Sequence, residues 1–417
     1  MSSKQVFESY IFTGNKSLCT GCGACVQVCT HKAIEMKNDS EGFIYPFVDE
    51  KKCVQCGLCD KICPVTGTNT ENSGEEQHCY VATTNKEKYY LESASIGICT
   101  MLSEYVISNG GIVYGSYLDE SDWTAYHIPV KDVNGIQKVR NSKYLQSTTG
   151  DTFIQVKEKL NQGVVVLYIG TPCQIAGLKS FLRKSYSNLY TIDLICHGVF
   201  SPKLMPLEID YWEKRLGGKV KNFRFRSKRV YKYANGGMVN FDLNKDGTIR
   251  HVERHAASSP SYRCYAYADD GMHYNHRLSC YNCQFRSQKR YGDITIGDPW
   301  FISNKVINNK KLRNTNSVRS LYSVNSAKGN EIISWVRPLL NEEELSASDA
   351  FTQPALQIIT KEIPSKRKNL FSMLDQKDYG SLVEELLCCN LEKSHKVFAK
   401  KYRKLKIKRI IRKMLFI

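Results

Sequence analysis

The chain of 417 residues lacks the features of membrane-spanning and secreted proteins. No window approaches the roughly 20 apolar residues that a membrane-spanning helix requires, so we expect no bilayer crossing. No apolar run follows Met1, so no secretory signal peptide is indicated. The 17 cysteines are therefore not expected to form disulfides, and a reducing cytoplasm is the expected compartment. A composition of 42% hydrophobic and 24% charged residues is typical of a globular protein, and the length suits two or three domains.

Acidic residues are absent from the C-terminal end, where over half of the net charge of +18 lies. Residues 396–413 contain ten Lys or Arg and no Asp or Glu, whereas residues 1–75 contain seven bases and nine acids. No helix-turn-helix or RNA-binding motif accompanies this charge, so no specific nucleic-acid binding is predicted. The basic and apolar residues of this C-terminal segment together indicate peripheral contact with the inner face of an anionic membrane. The alternative is a solvated tail or a nucleic-acid contact. The apolar residues of this tail do not share one helical face. The tail therefore forms either two short segments or a helix whose apolar groups pack partly on the protein.

Two runs of cysteines near the N-terminus repeat the spacing C-x2-C-x2-C-x3-C. The first run is Cys19, Cys22, Cys25 and Cys29, and the second is Cys53, Cys56, Cys59 and Cys63. Three thiolates at this spacing wrap one face of an iron–sulfur cube, and the fourth completes the other cube. We therefore predict two 4Fe-4S clusters with crossed ligands, one on Cys19, Cys22, Cys25 and Cys63 and the other on Cys53, Cys56, Cys59 and Cys29. The alternative is a zinc site or a disulfide framework, but zinc sites rarely contain two such dense runs.

A strand, a loop, a helix and a second strand follow one another in the middle of the chain. Residues 164–169 and 189–196 are apolar runs, and residues 175–182 have helical periodicity. This order predicts parallel pairing through a right-handed crossover. Ligands in open α/β sheets bind beyond the carboxyl ends of the strands, where Cys173 and Cys196 lie. Nearby we also predict a strand at 80–83, a helix within 91–108 and a hairpin from 112–117 and 123–130.

Four further cysteines, Cys173, Cys196, Cys280 and Cys283, lie on separate predicted loops. A third iron–sulfur cluster is one interpretation. Zinc or a redox-active thiol pair is a second. The third is simple packing, because cysteine is among the most buried residue types.

Several short segments resemble one known family. They are Ser142-Lys-Tyr-Leu-Gln-Ser147, Gly170-Thr-Pro-Cys-Gln-Ile-Ala-Gly-Leu178, Asp193-Leu-Ile-Cys-His-Gly198, Cys280-x2-Cys283 and Gly292-Asp-Ile-Thr-Ile-Gly-Asp-Pro-Trp300. Over about residues 80–340 the chain resembles the coenzyme F420 hydrogenase/dehydrogenase beta-subunit family, with a ferredoxin module in front. The resemblance implies a flavoprotein, with FAD or FMN, that passes electrons between iron–sulfur clusters and a bound substrate. Some relatives without the ferredoxin module are similar cluster proteins, which favours the third cluster.

The candidate flavin and proton-transfer residues lie in these segments. Gly170, Thr171, Pro172 and Gln174 lead into a helix, where backbone N–H groups favour a phosphate such as the flavin pyrophosphate; an ordinary tight turn is the alternative. Asp298 binds either the flavin ribityl hydroxyls or a loop backbone. His197 is the candidate for proton delivery, or else a structural histidine. Arg286 and Arg290 either neutralise a phosphate or reduced flavin or are solvated.

The predicted fold class is α+β/α/β. It comprises a two-cluster ferredoxin domain (1–68), a mixed α/β flavin-binding core (78–344) and a peripheral helical, basic tail (345–417), with a polar linker at 67–76. The predicted function is an oxidoreductase that exchanges electrons with a ferredoxin-like donor or acceptor and acts on an unknown small-molecule substrate. Similar dicluster proteins are often encoded among polysaccharide-synthesis genes, which suggests that setting. The alternative is an electron-transfer subunit that feeds a partner enzyme without a substrate site of its own.

Overall fold

A computed structural model describes residues 9–66, 77–226, 228, 237–313, 318–357 and 361–415, without the side chains of 405 and 408–415. The predicted linker at residues 67–76 lies outside these residues. The described strands are β1 (Ile34–Asn38), β2 (Ile44–Val48), β3 (His78–Thr83), β4 (Ile112–Asp119), β5 (Thr124–Val130), β6 (Ser147–Thr148), β7 (Val166–Gly170), β8 (Leu189–Leu194), β9 (Lys219–Arg224), β10 (Met238–Lys245), β11 (Thr248–His255), β12 (Ile294–Gly297), β13 (Ser320–Val324) and β14 (Asn341–Leu345). The described α-helices are α1 (Tyr10–Thr13), α2 (Ala24–Val28), α3 (Leu58–Lys61), α4 (Glu87–Tyr90), α5 (Ile98–Ser108), α6 (Ile136–Val139), α7 (Thr152–Asn161), α8 (Pro172–Leu182), α9 (Leu204–Leu216), α10 (Pro260–Ala266), α11 (Lys310–Arg313), α12 (Ala327–Ser334), α13 (Ala347–Ala350), α14 (Ser365–Met373), α15 (Tyr379–Leu386) and α16 (Leu391–Leu415).

The described residues form two compact units. The first unit is drawn from Met1–Asp119, Thr124–Val199 and Arg277–Glu362, and the second from Glu120–Trp123, Phe200–His276 and Ile363–Ile417. The predicted domain boundaries remain a prediction. The two units divide the chain at other points, because the first one contains both the cysteine-rich module and the large sheet.

The first unit is built on a nine-stranded mixed sheet in the order β14-β3-β13-β12-β8-β7-β4-β5-β6. Its centre is parallel, because β12, β8, β7 and β4 pair in the same direction. The predicted strand–helix–strand crossover is confirmed: β7 and β8 are parallel neighbours and α8 lies between them in the chain. The predicted hairpin is confirmed as the antiparallel pair β4 and β5. The mixed α/β architecture is therefore as expected.

Each face of this sheet carries its own buried core. Successive side chains of β7 point to opposite faces, as the period of a strand requires. Leu167 packs in the core that includes Met101 of α5, and Val166 packs in the core that includes Ile175 of α8. The sheet is therefore covered on both faces, which explains the uninterrupted apolar sequence of β7.

The cysteine-rich module shares the core on the α8 face. Ala24 and Val28 of α2 and Ile62 after α3 belong to the same buried cluster as Ile175. Strands β1 and β2 of the module form an antiparallel pair. Because α2 contacts α8 directly, the module's cysteines lie close to the loops at the carboxyl ends of β7 and β8.

The second unit has a separate core around the antiparallel sheet β11-β10-β9. Trp212 of α9 is buried, and its ring lies 5.4 Å from that of Phe241 in β10. The indole N–H of Trp212 donates to Glu208 at 2.6 Å, and the backbone N–H of Ser261 donates to the same carboxylate at 2.9 Å. Burial raises the pKa of Glu208, so these donors matter for holding its charge inside the unit.

The basic C-terminal segment is one helix, α16, within the second unit. Leu391 at its start is buried, and the Phe398 ring stacks 4.4 Å from the His255 imidazole. Val397 and Ile407 are more than half exposed. Of the two alternatives left open by the sequence, the helix therefore shows partial packing on the protein.

Candidate iron–sulfur centres

Four thiols from both cysteine runs converge beside α2; Cys19, Cys22, Cys25 and Cys63 are called the first thiol group. They line one cavity together with Cys59, Gly21, Gly23, Ala24 and Pro64. Gly21 and Gly23 have φ values of +71° and +79°, which favour glycine and let the backbone curl around the cavity. Its small residues and the four sulfurs of the first thiol group fit an iron–sulfur cube.

The position of Cys63 agrees with crossed ligation. Burial raises the pKa values of Cys22 and Cys25, and the neighbouring Cys63 adds to both rises. Cys63 belongs to the second run and follows α3, yet its sulfur raises the pKa values of thiols in the first run. Its side chain also accepts backbone hydrogen bonds from Val65 and Thr66, which lower its pKa against the effect of burial. Its role as a ligand remains a prediction.

The remaining cysteines of the module, Cys29, Cys53, Cys56 and Cys59, are called the second thiol group. Burial raises the pKa of Cys59, and Cys53 contributes to that rise. Cys29 follows α2 directly, and its sulfur accepts a hydrogen bond from the backbone N–H of Ala33 at 3.3 Å. Cys56 is exposed, so this group is the one nearest to solvent. Ligation of the second cluster by Cys29 remains a prediction.

Cys173, Cys196, Cys280 and Cys283, the third thiol group, are brought together from three separate segments. Cys173 lies in the first turn of α8, Cys196 follows β8, and Cys280 ends a short 3-10 helix. Burial raises the pKa of Cys196 to about 12, and Cys280 and Cys173 add to the rise. Cys283 has a pKa raised by burial and then by all three of the others. The sequence-based expectation that these four thiols share one site therefore agrees with the fold.

The chemistry of the third thiol group fits a metal cluster whose inorganic core is positively charged. Because the pKa values of these four half-buried thiols are raised, they stay protonated by themselves, whereas coordination to metal deprotonates a thiol outright. Among the residues that the structure describes, no group of three or more His, Cys, Asp or Glu side chains is arranged to hold a metal ion. A cube binds its four sulfurs through four separate irons, so its ligands lie further apart than those of a single ion. Thiolates about 2.3 Å from one tetrahedral zinc lie only about 3.8 Å apart.

The first and third thiol groups are adjacent through α8. Cys173 contributes to the raised pKa of Cys22, and Thr20 of the first cysteine run in turn lowers the pKa of Cys173. One turn further along α8, a Cβ added to Gly177 would lie 2.9 Å from the Cys22 sulfur. A helix surface without a side chain at this point lets the two groups approach closely.

The start of α8 uses its own side chains as caps. The backbone N–H of Thr171 and its hydroxyl both donate to Oε1 of Gln174, each at 3.0 Å. The Gln174 amide donates to the Ser147 carbonyl at 3.0 Å, which ties α8 to the neighbouring segment. Pro172 is the first helical residue, and the preceding Gly170 ends β7. Phosphate binding by this turn remains a prediction.

The other candidate residues are dispersed. His197 is half-buried next to Cys196, and Asp298 follows β12 and is also half-buried. The carbonyl oxygen of Asp298 accepts hydrogen bonds from Trp300 and Gln353. The roles of both side chains remain predictions.

The interpretation of Arg286 and Arg290 as solvated residues was wrong. Arg290 is 1% exposed and forms an ion pair of 3.2 Å with the buried Asp193, while also donating to Thr295. Arg286 is 4% exposed and donates to the Pro354 carbonyl at 2.7 Å. Because Asp193 precedes the third thiol group's Cys196 on the chain, Arg290 supports the loop that presents this cysteine.

Sequence reasoning missed Arg277, which precedes the Cys280-x2-Cys283 pair by three residues. Its side chain is completely buried and donates to the Cys19 carbonyl at 2.7 Å and to Gln146 at 2.9 Å. Its closeness to that cysteine pair was the available signal. Gln146 lies in the Ser142–Ser147 segment, which was noted only as part of the family resemblance.

These thiol groups are the features of an iron–sulfur protein. Residues 18–66 match the model of the 4Fe-4S dicluster domain, and residues 164–345 match that of the carboxyl-terminal part of the coenzyme F420 hydrogenase/dehydrogenase beta subunit. The chain thus combines a 4Fe-4S dicluster domain with a segment similar to the carboxyl-terminal part of the coenzyme F420 hydrogenase/dehydrogenase beta subunit.

The curated relatives are oxidoreductases by name. The chain is 24% identical over 253 residues to the coenzyme F420-dependent sulfite reductase of Methanocaldococcus jannaschii, covering 55% of this chain and 38% of that protein. It is 22% identical over 204 residues to one of the subunits that make up the F(420)H(2) dehydrogenase of Methanosarcina mazei, covering 45% of this chain and 57% of that protein. The chain thus spans less than two thirds of each relative.

One solved structure, the F420-reducing [NiFe] hydrogenase complex from Methanosarcina barkeri, aligns with a TM-score of 0.41 and 16% identity. The alignment covers 78% of this chain and 93% of that one. None of the described helices is both long and apolar enough to cross a membrane.

Proposed function

We propose that this protein is an iron–sulfur flavoprotein oxidoreductase that carries electrons between a ferredoxin-like partner and a substrate site in its sheet domain. The observation that carries the proposal is the contact along α8, where Gly177, one turn beyond Cys173 of the third thiol group, lies against Cys22 of the first: an added Cβ on Gly177 would stand 2.9 Å from the Cys22 sulfur. A 4Fe-4S cluster accepts and releases single electrons when it is bound. The chain's own residues supply three sulfur sites in series.

The order of the sites follows from their exposure and contacts. The second thiol group includes the exposed Cys56, so we assign the outer end to it. Cys59 of that group contributes to the raised pKa of Cys25, which makes the first thiol group its neighbour. The first group then adjoins the third through Cys22 and Cys173. This succession connects the protein surface to the carboxyl ends of β7 and β8, where α/β proteins bind ligands.

The flavin and the substrate rest on the family relationship. We propose that Gly170 to Gln174, Asp298 and His197 face the flavin side of the third thiol group, with His197 delivering the proton. The relatives' names contain coenzyme F420, so a deazaflavin of this type is the first substrate to test. A setting in polysaccharide synthesis remains a prediction.

The decisive experiment counts iron, acid-labile sulfide, zinc and flavin in the anaerobically purified full-length protein. We expect about 12 irons per chain, four for each of three cubes, and one flavin. Twelve irons without flavin would favour the alternative, an electron-transfer subunit that feeds a partner enzyme. Zinc without iron would overturn the proposal.

A further inference from the structure

The residue that carries a further inference is Arg277, which lies between the first and third thiol groups. Its Nε donates to the Cys19 carbonyl at 2.7 Å, and its Nη1 donates to the Ile44 carbonyl and to Gln146, each at 2.9 Å. The same residue's backbone carbonyl accepts from Cys280 at 2.9 Å. Arg277 is thus bonded to the backbone of one cysteine from each group.

The guanidinium is fully buried, and no carboxylate among the described residues is paired with it. It stacks on Tyr45, with its carbon 4.0 Å from the ring centroid, and its Nη2 has no hydrogen-bond partner. Burying a charge without an opposite charge is strongly unfavourable. The observed neutral partners do not provide that opposite charge, so a nearby anion is expected.

Two thiol groups are close enough to supply it. The Cys280 N–H donates to the Arg277 carbonyl at 2.9 Å, which holds the residue beside the third group. On the other side, a Cβ added to Gly21, between Cys19 and Cys22, would lie 3.2 Å from the guanidinium carbon, which places the cation against the first group as well. Four thiolates on an iron–sulfur cube leave a net negative charge, which grows by one on reduction.

We propose that Arg277 is a shared counter-charge for the first and third clusters, which raises the reduction potential of both. This inference rests on the proposed function, because it requires clusters at both groups. The cation stabilises the more negative, reduced state of each cluster, so its removal must lower both potentials. Arg277 would be a positioning and tuning residue and would not itself accept electrons.

Arg286 provides a matched comparison, because it is also buried and also has unpartnered nitrogens, Nε and Nη1. Its backbone N–H donates to the Cys283 carbonyl at 3.3 Å, which places Arg286 beside the third group. Among the described contacts, it has none with Cys19, Cys22, Cys25 or Cys63. An Arg286→Gln variant should therefore shift the potential of the third cluster alone.

The test is an EPR-monitored redox titration of the full-length wild type and of Arg277→Gln, Arg277→Lys and Arg286→Gln. A unit charge about 12 Å from another changes an equilibrium about tenfold at an effective dielectric constant of about 20. For Arg277→Gln we expect a decrease of about tenfold in the reduction equilibrium of both clusters, or about 59 mV for one electron. Arg277→Lys keeps the charge and should recover most of that shift.

Iron content separates the possible failures. Unchanged potentials in an Arg277→Gln protein with full iron would overturn the counter-charge and leave the proposed function intact. Equal shifts in Arg277→Gln and Arg277→Lys would assign the effect to hydrogen bonding and also overturn it. If Arg277→Gln loses iron, the Arg277→Lys titration decides. Reduction potentials close to those of wild type support the inference. Reduction equilibria that are lowered about tenfold overturn it. Wild type without iron at the third group would refute the proposed function itself.

Discussion

Gly177 of α8 lies directly against Cys22, so that an added Cβ would stand 2.9 Å from the cysteine sulfur and 3.0 Å from its Cβ. Such contacts are shorter than real Cβ atoms make, and Cys22 is itself buried. Only a residue without a side chain lets α8 carry Cys173 to within reach of the first thiol group. The spacing between two candidate redox sites thus depends on one glycine.

A Gly177→Ala substitution should push Cys22 away and weaken the first cluster. Overpacking of this kind typically costs about 1–3 kcal/mol of folding free energy. We expect lower iron content and a lower free energy of unfolding in denaturant titrations. Gln155→Ala on α7, whose side chain bonds only within its own helix turn, is the control. Wild-type iron and stability in Gly177→Ala would contradict the close approach.

Cys63→Ala should remove the first cluster and spare the second, because the sulfur of Cys63 adjoins Cys22 and Cys25. We expect a loss of about four irons from the full-length chain and disappearance of one EPR signal. The buried Cys264, in the second unit, offers a control substitution that should leave iron unchanged. If Cys63→Ala removes the same signal as Cys53→Ala, ligation is not crossed.

A Cys280→Ser, Cys283→Ser double variant tests the third cluster. Both thiols are half-buried near Cys173, so their loss leaves only two sulfur ligands there. We expect about four fewer irons with both module signals retained. The buried Cys79 in β3 is the matched control within the same unit. Unchanged iron in the double variant would assign these cysteines to packing.

Local patterns were sufficient to predict some parts of the fold. The continuous apolar runs predicted β7 and β8, whereas the ligand sets predicted from the cysteine spacing stay a prediction. The membership of residues 200–276 in a unit with 363–417 could not be seen, because it depends on contacts between distant segments. The burial of Arg277, Arg286 and Arg290 was also invisible, since an arginine has the same local sequence signature whether it is solvated or enclosed by backbone carbonyls.

His127 predicts a decline of stability in acid. It is buried, its Nε2 donates to the Ile169 carbonyl at 3.1 Å, and its Nδ1 accepts from the Ser147 hydroxyl at 2.9 Å. Burial lowers its pKa from 6.5 to about 4. Between pH 6.5 and 4 the imidazole of His127 is therefore protonated in the unfolded chain and neutral in the folded chain. The free energy of unfolding consequently falls as pH decreases over this range. The full loss is about 3 kcal/mol.

A His127→Asn variant, which does not titrate, should be less stable at neutral pH but lose less between these two pH values. Denaturant titrations at several pH values measure the difference in slope. The exposed His31 serves as the control, since His31→Asn should preserve the wild-type slope. Equal slopes in wild type and His127→Asn would show that another group controls the acid response.

The last prediction concerns α16, whose exposed face is basic. Lys400, Lys401 and Lys404 are exposed there, while Phe398 packs against His255. Basic residues near an anionic leaflet contribute about 1 kcal/mol each, and the exposed Val397 and Ile407 can add apolar contact. We therefore predict salt-sensitive binding of the protein to anionic vesicles.

Replacing Lys400, Lys401 and Lys404 with glutamine should weaken this binding about a hundredfold, because three contributions of about 1 kcal/mol are lost. These substitutions leave the packed Phe398 in place, so the helix itself should persist. A second triple variant at the exposed Lys131, Lys138 and Lys305 has the same net charge and should bind like wild type. Cosedimentation with anionic and neutral vesicles measures both. Equal pelleting of the two variants would mean that overall charge, and not α16, drives any membrane contact.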